Sequence, residues 1–422
     1  MSPLHKTTSN PSIQALYRKA LEAGLVDSSD TSVVFYDFSI MEDRLQRIKT
    51  SVPAASLHAI PVKTNPLSFV LKEIVDQGFG LEAASFEEVQ LGLNAGIARE
   101  KLVFDSPAKT RAEIAELVRL GQFRVNANSI EELARYPKHS SQLRLGLRIN
   151  PSSISESVSS MNVSGRYSKF GESIDGRAEI TSAFQEWEDL DTLHVHIGSQ
   201  SENFDPTVEA IKEIYDLATE INQACGNKKV RALDIGGGFP VNYGVEDAYL
   251  IEAFADRLNA RIPQLKNEEF ELVTEFGRYV HANAAWVVTN IEYVKPHSGG
   301  KTITCHVGAD FFLREAYDST AWHHDMFVMD DQGNERKGPS SKTAVGGPLC
   351  FGGDFVEVDV DLPDVVQGDK LVIRDVGANT FALWSRHCSR SFPKVLACSA
   401  DTRELTIGKQ REPMAALISF WS

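Results

Sequence analysis

The stretch Pro61-Val62-Lys63-Thr64-Asn65-Pro66 places a lysine directly after an apolar run, residues 56–62, that is typical of a buried strand. Asn65-Pro66 then turns the chain, so we predict that Lys63 stands at the C-terminal end of this strand. Burial disfavours an ammonium group and lowers its pKa, which makes a partly desolvated lysine a good nucleophile for a carbonyl carbon. A strand-end lysine that only reaches solvent is the alternative, and the rest of the chain decides between the two.

The composition is that of a globular protein without a polyanionic partner. The 422 residues are 42% hydrophobic and 24% charged, and this length predicts two domains. The net charge of -15 argues against nucleic acid as a partner. The five cysteines form no CxxC pair and no His/Cys cluster with zinc spacing, which indicates a reducing, cytoplasmic compartment and no metal site. We expect no membrane contact, since no apolar run has spanning length and residues 1–8 lack a signal-like apolar region; an organelle address stays open.

Eight candidate strands alternate with helical patterns along the first two thirds of the chain. The candidates are residues 56–63, 79–85, 101–106, 123–128, 143–150, 190–198, 230–237 and 271–278. The clearest helix between them, Pro206 to Cys225, carries an apolar stripe at helical spacing. Eight strand–helix units favour a (β/α)8 barrel with a parallel sheet over an open sheet. The interval 151–189 is too long for one crossover, so we expect an active-site excursion there.

The character of the sequence changes after about residue 285. Runs rich in β-branched residues, separated by glycine, proline and aspartate turns, predict a second, mainly antiparallel β domain. These runs are residues 287–294, 302–307, 355–360 and 370–374. We therefore predict an N-terminal segment at 1–38 whose strand joins the β domain, a barrel at 39–284 and the β domain at 285–422.

Polar residues collect at the predicted C-terminal ends of the barrel strands, where barrels of this kind hold their active sites. The fifth strand contributes Arg148, and the sixth contributes His194 and His196, which alternation places on one face, followed by Ser199. The seventh ends at Gly236-Gly237-Gly238, and the eighth ends at Glu275-Phe276-Gly277-Arg278. Each has an ordinary structural interpretation as a turn, a core histidine or a loop carboxylate.

Taken together with Lys63, these residues predict one cofactor. Consecutive glycines let the backbone approach a ligand and expose N–H groups that suit a phosphate, and Gly277 with Arg278 makes a second phosphate candidate. His196 could stack on a flat ligand, and Glu275 could pair with a protonated ring nitrogen. Pyridoxal 5'-phosphate fits all of these groups, because it binds lysine as a Schiff base, carries a phosphate and works best with its ring nitrogen protonated.

The chain resembles the fold-type III, pyridoxal-phosphate-dependent decarboxylases, which include the diaminopimelate, ornithine and arginine decarboxylases. The resemblance runs from Val33 to Val395, and its motifs are nearest in style to the diaminopimelate enzymes. It is carried by six segments in order: 61–66, 194–200, 234–240, 275–278, 347–354 and 375–378. The resemblance implies an alanine racemase-like fold, in which a TIM-like (β/α)8 barrel precedes a C-terminal, mainly antiparallel β domain.

The resemblance also implies a role for each matching residue of the barrel. Lys63 would form the Schiff base, His196 would stack on the cofactor ring, and Glu275 would pair with the pyridine nitrogen. Arg148 matches a family arginine beneath the ring. The residues that would hold or border the phosphate are Ser199, Gly236, Gly237, Gly238, Gly277, Arg278 and Asn379.

In the β domain the resemblance implies a substrate site and a proton donor. Arg314 and Tyr317 lie in a segment similar to the one that grips a substrate carboxylate. Cys350 matches the cysteine that protonates the carbanion after carbon dioxide leaves, and Phe351 and Asp354 complete the expected substrate-binding set. Because this cysteine reaches the partner's cofactor in the family, the resemblance implies a homodimer with shared active sites.

Three departures from the family pattern point to an altered substrate. The diaminopimelate enzymes read Cys-Glu-Ser where this chain has Cys350-Phe351-Gly352, and phenylalanine cannot hold a distal ammonium by charge. Asn379 stands where tyrosine is usual, and the run 82–87, Glu-Ala-Ala-Ser-Phe-Glu, replaces the usual Asp-x-x-Ser-x-Gly-Glu. We therefore expect unchanged chemistry, α-decarboxylation of an L-amino acid or an amino-acid-derived biosynthetic intermediate.

Three alternatives remain: diaminopimelate decarboxylase proper, a pyridoxal-phosphate racemase and an inactive decarboxylase-like regulator. A carboxylate-rich or bulky substrate would also suit the positively charged residues Arg314, Arg166 and Lys169. A racemase would use tyrosine as its second base, so the Cys350 segment favours the decarboxylase. Asn379 is the hint of a regulator, whereas the intact lysine and phosphate loops argue against one.

Overall fold

The structure is a computed structural model that describes residues 7–53, 56–139, 141–151, 168–200, 203–243, 250–267, 269–318 and 322–422. Arg166 and most of the predicted excursion therefore lie outside the described residues. The chain divides into two compact units, one from Leu45–Val241 and Ala248–Tyr279, the other from Met1–Arg44, Asn242–Asp247 and Val280–Ser422. The domain boundaries derived from the sequence, at 38/39 and 284/285, stay a prediction.

The first unit is a closed barrel of eight parallel strands. With β1 (Ser32–Asp37) assigned to the second unit, the barrel strands are β2 (Leu57–Pro61), β3 (Gly80–Ala83), β4 (Leu102–Phe104), β5 (Arg124–Ala127), β6 (Arg144–Asn150), β8 (Leu190–Val195), β9 (Ala232–Asp234) and β10 (Glu271–Thr274). Their order is β5-β4-β3-β2-β10-β9-β8-β6, and the pairing of β5 with β6 closes the barrel. The short β7 (Glu172–Ser173) pairs with β6. All eight predicted strands are present, and the predicted fold class is confirmed.

Helices follow the barrel strands, as the sequence periodicity predicts. After α1 (Asn10–Glu22) and α2 (Phe38–Ser51), they are α3 (Ser68–Asp76), α4 (Phe86–Asn94), α5 (Arg111–Leu120), α6 (Ile130–Leu133), α7 (Arg177–Glu186), α8 (Asp205–Cys225), α9 (Ile251–Arg261) and α10 (Gly277–His281). The apolar stripe of α8 is buried, including Val208, Ile211 and Ile214. In the described part of the chain, none of the helices combines the length and apolarity that crossing a bilayer requires.

The second unit is built on a mainly antiparallel sheet. Its strands after β1 are β11 (Ala285–His297), β12 (Gly300–Cys305), β13 (Met326–Met329), β14 (Ser340–Gly346), β15 (Phe355–Pro363), β16 (Lys370–Ile373), β17 (Lys394–Cys398) and β18 (Leu405–Lys409). The order is β15-β14-β12-β11-β1-β17-β18, with β16 bridging β11 and β13. Short helices α11 (Leu313–Tyr317) and α12 (Met414–Phe420) complete it. The core includes a stacked pair, Phe35 and Trp286, with ring centroids 5.5 Å apart.

Candidate active site

Lys63 lies in a single 3-10 turn directly after β2, at the C-terminal end of the barrel. The turn is closed by the N–H of Asn65, which donates to the Val62 carbonyl at 3.0 Å, and by the Thr64 hydroxyl, which donates to the Pro61 carbonyl at 2.6 Å. The Lys63 ammonium donates to the Glu82 carboxylate at 2.5 Å. The Lys63 side chain is 40% exposed, whereas that of Glu82 is fully buried. The amine is therefore reachable from solvent but is held by a buried carboxylate.

This ion pair reverses the pKa expected from the sequence. Burial does disfavour the ammonium, but the carboxylates of Glu82 and Glu275 outweigh it and raise the pKa of Lys63 above its usual value. Burial, reinforced by the nearby Glu275 and Asp105, raises the pKa of Glu82 as well. The expectation of a lysine with a lowered pKa is wrong, because the contact between Lys63 and Glu82 depends on how β2 and β3 align.

We expect Glu82→Gln to lower the pKa of Lys63 by roughly one unit or more, because an opposite charge in contact with a titrating group shifts its pKa by about that amount. The apoprotein variant should therefore react with an aldehyde at lower pH than the wild type does. The measurement is the midpoint of the pH dependence of aldehyde uptake. Glu87→Gln, at an exposed position of the next helix, is the matched control. An unchanged midpoint in Glu82→Gln would contradict the assignment.

Arg148 is fixed in the floor of the same pocket. Its guanidinium donates to the Asp105 carboxylate at 3.1 Å and lies 4.4 Å from the centre of the Phe170 ring. Burial alone would raise the pKa of Asp105, but the Arg148 guanidinium beside it lowers that pKa below its usual value. His194 is fully buried, and burial lowers its pKa to about 4, which keeps the ring neutral near pH 7. Asp105 thus stays ionised and holds Arg148 in place.

Glu275 carries the buried charge that a protonated ring nitrogen needs. The residue is 2% exposed, and neither carboxylate oxygen has a hydrogen-bond partner among the described residues. Burial favours its neutral form, but interactions with His196, His194 and Lys63 lower the pKa of Glu275 below its usual value. The Nδ1 atom of His196 lies 3.6 Å from Oε2 of Glu275, and the same Nδ1 accepts the Gly237 N–H at 3.2 Å. A buried, ionised carboxylate with free lone pairs fits a cationic nitrogen of a bound ring.

The same carboxylate belongs to a cluster that has metal-like spacing. One ligand atom from each of His194, His196 and Glu275 lies within 4.8 Å of the others. The Lys63 ammonium also interacts with Glu275, so this carboxylate already has a cationic neighbour in the pocket.

The glycine segment after β9 folds back against two neighbouring strand ends. Asp234 anchors it, since its carboxylate accepts the Gly236 N–H at 3.0 Å and the Asn126 amide at 2.9 Å. Gly238 has φ +91°, and a Cβ at this position would collide with the Gly198 carbonyl oxygen. A non-glycine residue would therefore push the backbone out of the pocket.

Arg278 and Ser199 meet beside this segment. The Arg278 Nε donates to the Ser199 hydroxyl at 3.2 Å, and Gly277 begins the short helix that carries Arg278. The residues that follow the sixth and eighth strands and are predicted to bind the phosphate are thus brought together. A guanidinium, a hydroxyl and a glycine backbone form a donor set suited to a phosphate.

The predicted proton donor, Cys350, lies in the second unit. It is exposed on the loop between β14 and β15, next to Phe351, which is 50% exposed. Asp354, at the base of the loop, is only 4% exposed. Its carboxylate accepts the N–H groups of Ala309 and Leu349, each at 2.6 Å. The contacts of Asp354 fix the shape of the cysteine loop, and both of its oxygens are already engaged.

The remaining predicted residues also lie in the second unit. The Arg314 guanidinium lies 5.1 Å from the centre of the Trp322 ring, and Tyr317 is 82% exposed. Asn379 has φ +54°, in the left-handed region that asparagine tolerates better than an aromatic residue does. This backbone conformation gives a physical reason for asparagine where the family usually has tyrosine.

Sequence reasoning missed part of the pocket. Glu82 lies one residue before the end of β3 and Asp105 follows β4, yet neither was predicted as a site residue, because the prediction covered only the ends of the first, fifth, sixth, seventh and eighth strands. The signal was present, since a carboxylate near the end of a short apolar barrel strand lies at the same end of the barrel as Lys63. Two further polar residues, Asn126 near the end of β5 and Asp234 at the end of β9, carried a similar signal.

Comparisons with known proteins agree with this geometry. Residues 39–282 match the pyridoxal binding domain of the pyridoxal-dependent decarboxylases. Diaminopimelate decarboxylase of Helicobacter pylori is 27% identical over 403 residues, 93% of this chain and 96% of the relative. The L-glutamyl-[BtrI acyl-carrier protein] decarboxylase of Niallia circulans is 27% identical over 365 residues, 83% of this chain and 84% of the relative. A crystal structure of the Helicobacter pylori enzyme with L-lysine superposes with a TM-score of 0.84 at 24% identity, covering 95% and 98% of the two chains.

The barrel and its pocket define a class of protein, the pyridoxal-phosphate-dependent carboxy-lyases. The buried Glu275, the Lys63 amine and the Arg278–Ser199 pair fit the ring, aldehyde and phosphate of this cofactor. The chain belongs to the family of pyridoxal-dependent decarboxylases, since the match covers more than half of its length. Both relatives compared here are decarboxylases, which favours this activity over the racemase alternative.

Proposed function

We propose that the protein removes the α-carboxylate of a specialised L-amino acid, or of a biosynthetic intermediate derived from one, and that the barrel residues described above bind pyridoxal phosphate for this reaction. The observation that supports this most directly is the Lys63 amine at the same end of the barrel as the buried carboxylate of Glu275, whose oxygens accept no hydrogen bond from the described residues. When bound, pyridoxal phosphate supplies an electron sink for the α-carbanion that loss of carbon dioxide leaves. The protein must therefore hold the ring, keep it cationic and deliver one proton.

Particular residues are proposed for each of these tasks. Lys63 binds the cofactor covalently, and its amine is already positioned by Glu82. Glu275 keeps the proton on the ring nitrogen, while His196 packs against the ring face. Arg278, Ser199 and the glycines 236–238 and 277 hold the phosphate, with Arg148 beneath the ring. In this proposal Asn379 belongs to the set of residues that hold or border the phosphate.

Cys350 then delivers the proton to the α-carbon as a general acid, a step that typically contributes about 10²–10⁴-fold to a rate. Its thiol is exposed on a loop whose shape Asp354 fixes through the two backbone N–H groups that it accepts. A donor on a fixed loop protonates one face of the carbanion. Asp354 supports this step through the loop, in addition to the substrate-binding role expected from its motif.

The residue after the cysteine indicates the kind of substrate. Phe351 is exposed and apolar where a glutamate would bind a distal ammonium, and Arg314 and Tyr317 lie in the segment that is proposed to bind a carboxylate. A substrate whose distal end is apolar, acylated or carboxylated fits these side chains better than a diamine end does. One relative acts on a glutamyl group attached to a carrier protein, so conjugated amino acids belong in the set of substrates to be tested.

Phe351→Glu tests this specificity. We expect the variant to gain about tenfold or more in the ratio of kcat/KM for meso-diaminopimelate to kcat/KM for the best conjugated amino acid, because a carboxylate restores an ion pair to the distal ammonium. Carbon dioxide release is measured on diaminopimelate, ornithine, lysine, arginine and larger amino-acid conjugates. Phe355→Glu, at another exposed phenylalanine of the same hairpin, is the matched control. An unchanged ratio would count against Phe351 as a specificity residue.

Diaminopimelate decarboxylase proper is the second candidate. It is favoured by the relative from Helicobacter pylori, which has that activity and matches 93% of this chain. The same set of substrates separates the two proposals. If the wild type prefers meso-diaminopimelate to every conjugate, the second candidate replaces the first.

We further propose that the enzyme works in the cytoplasm as a homodimer with shared active sites, each combining Lys63 of one subunit with Cys350 of the other. Mixing Lys63→Ala with Cys350→Ala subunits should then restore up to about a quarter of wild-type activity, because half of the random dimers contain one complete site out of two. Size-exclusion chromatography of the mixture confirms the dimer. Activity that stays at the level of the separate variants after subunit exchange would contradict shared sites.

A further inference from the structure

Cys350 has a second exposed cysteine beside it. The Cys350 N–H donates to the sulfur of Cys388 at 3.5 Å, although the two residues are 38 positions apart. Both residues are exposed, and both lie in the same compact unit. A cysteine assigned to proton delivery thus has a second thiol within contact distance of its backbone.

The backbone around both cysteines holds them in this arrangement. Cys388 and Ser389 adopt consecutive left-handed conformations, with φ +57° and +51°, which are rare for residues other than glycine. On the other side, the Asp354 carboxylate fixes the Cys350 loop through the N–H groups of Leu349 and Ala309. A strained turn and an anchored loop therefore hold the two cysteines together.

The separation is one that a disulfide can span. With the N–Cα bond at about 1.5 Å, the Cys388 sulfur lies within about 5 Å of the Cys350 Cα. A disulfide places its two sulfur atoms about 2 Å apart, so a Cys350 sulfur that turns toward the Cys388 sulfur has only a short gap to close. Rotation of the Cys350 side chain about its Cα–Cβ bond is the movement that brings the two sulfur atoms together.

The other three cysteines have different surroundings. Cys305 and Cys398 are buried, and burial raises the pKa of Cys305 to about 12 and that of Cys398 to about 11. Cys225 lies half-buried at the end of α8. Because thiol oxidation requires access to the sulfur, the exposed Cys350 and Cys388 are the two cysteines in this chain suited to it.

We propose that Cys350 and Cys388 form an oxidation-sensitive pair that closes to an intrachain disulfide when a peroxide reaches the site. One thiolate attacks a peroxide oxygen, which breaks the O–O bond and gives a sulfenic acid and hydroxide; the hydroxide takes up a proton and becomes water. The second thiolate attacks the sulfenic sulfur and displaces hydroxide, which is protonated to water. In total, two thiols and one hydrogen peroxide give one disulfide and two waters. A site that admits an amino acid also admits the smaller peroxide.

The consequence for turnover rests on the proposed function of Cys350. Once its sulfur is bonded to Cys388, the residue has no proton to deliver, and we expect activity to fall by about 10²-fold or more. A dithiol reductant attacks the disulfide and restores both thiols, so the loss is reversible. The enzyme would then stop decarboxylation under peroxide and resume it after reduction.

The test uses the loaded enzyme, equimolar hydrogen peroxide and alkylation of the remaining thiols, followed by mass spectrometry of unreduced peptides. We expect a linked Cys350–Cys388 peptide in the wild type and in the Cys225→Ser control, and none in Cys388→Ser. The proposal is overturned if Cys350 is consumed without this link, or if the link joins two different chains. If the link forms and turnover is unchanged, the thiol pair stands and the assignment of Cys350 as proton donor is wrong.

Discussion

Replacing Lys63 by alanine is expected to lower turnover by about 10³-fold or more, since the residue that binds the cofactor covalently acts at every stage of the cycle. The loaded wild-type protein should absorb visible light and keep the cofactor on the Lys63 peptide after borohydride reduction. The variant should lose both signals. The barrel should remain folded, because the Lys63 side chain is 40% exposed.

Two further variants separate chemistry from structure. Lys63→Arg keeps a positive charge next to Glu82 but offers no amine that can be deprotonated, so it should be as inactive as the alanine variant. Lys72→Ala removes an exposed lysine of α3 that pairs with Asp76, and it should behave as the wild type. Full activity in Lys63→Ala would contradict the assignment of Lys63 as the residue that binds the cofactor covalently.

Glu275→Gln should give the second largest effect, a loss of about 10²–10³-fold in kcat, the usual consequence of removing one preorganised electrostatic partner. The amide keeps the size of the side chain but cannot balance a cationic ring nitrogen. Because the missing charge matters most where negative charge develops on the substrate, kcat should fall more than affinity for the cofactor. Stopped-flow turnover and cofactor titration measure the two effects separately.

The matched control for this variant is Glu269→Gln, an exposed glutamate that precedes β10 and accepts a hydrogen bond from Tyr215. It should leave kcat unchanged. If Glu275→Gln keeps wild-type turnover, the ring nitrogen does not depend on this carboxylate. A loss confined to cofactor affinity would reduce Glu275 to a binding role.

The sequence predicted the barrel well because its strands are buried on both faces. Runs such as residues 56–63 and 190–198 form strands that are buried almost throughout and are followed by polar residues, so each indicates both a strand and the end that faces the pocket. Lys63, His196 and Glu275 stand at such ends. The order of the strands in the closed barrel then follows from the chain order.

The β unit was predicted less completely. β13, β14, β17 and β18 escaped prediction, and β14 and β18 show why, since most of their residues are exposed or half-buried and lack a strong apolar signal. Contacts between side chains were still harder to predict from the sequence. The contact of Lys63 with Glu82 depends on how β2 and β3 align, and the contact of Cys350 with Cys388 joins two loops, which sequence periodicity does not describe.

The pairing of β2 with β10 has a consequence for how the enzyme matures. These strands are the first and the last of the barrel, and they carry Lys63 and Glu275 at adjoining ends. The pocket therefore does not exist until the final strand has docked against the first. A nascent chain that lacks β10 would have the Lys63 amine to react with pyridoxal phosphate but not the Glu275 carboxylate to balance its ring charge. Stable binding of the cofactor would therefore require a closed barrel.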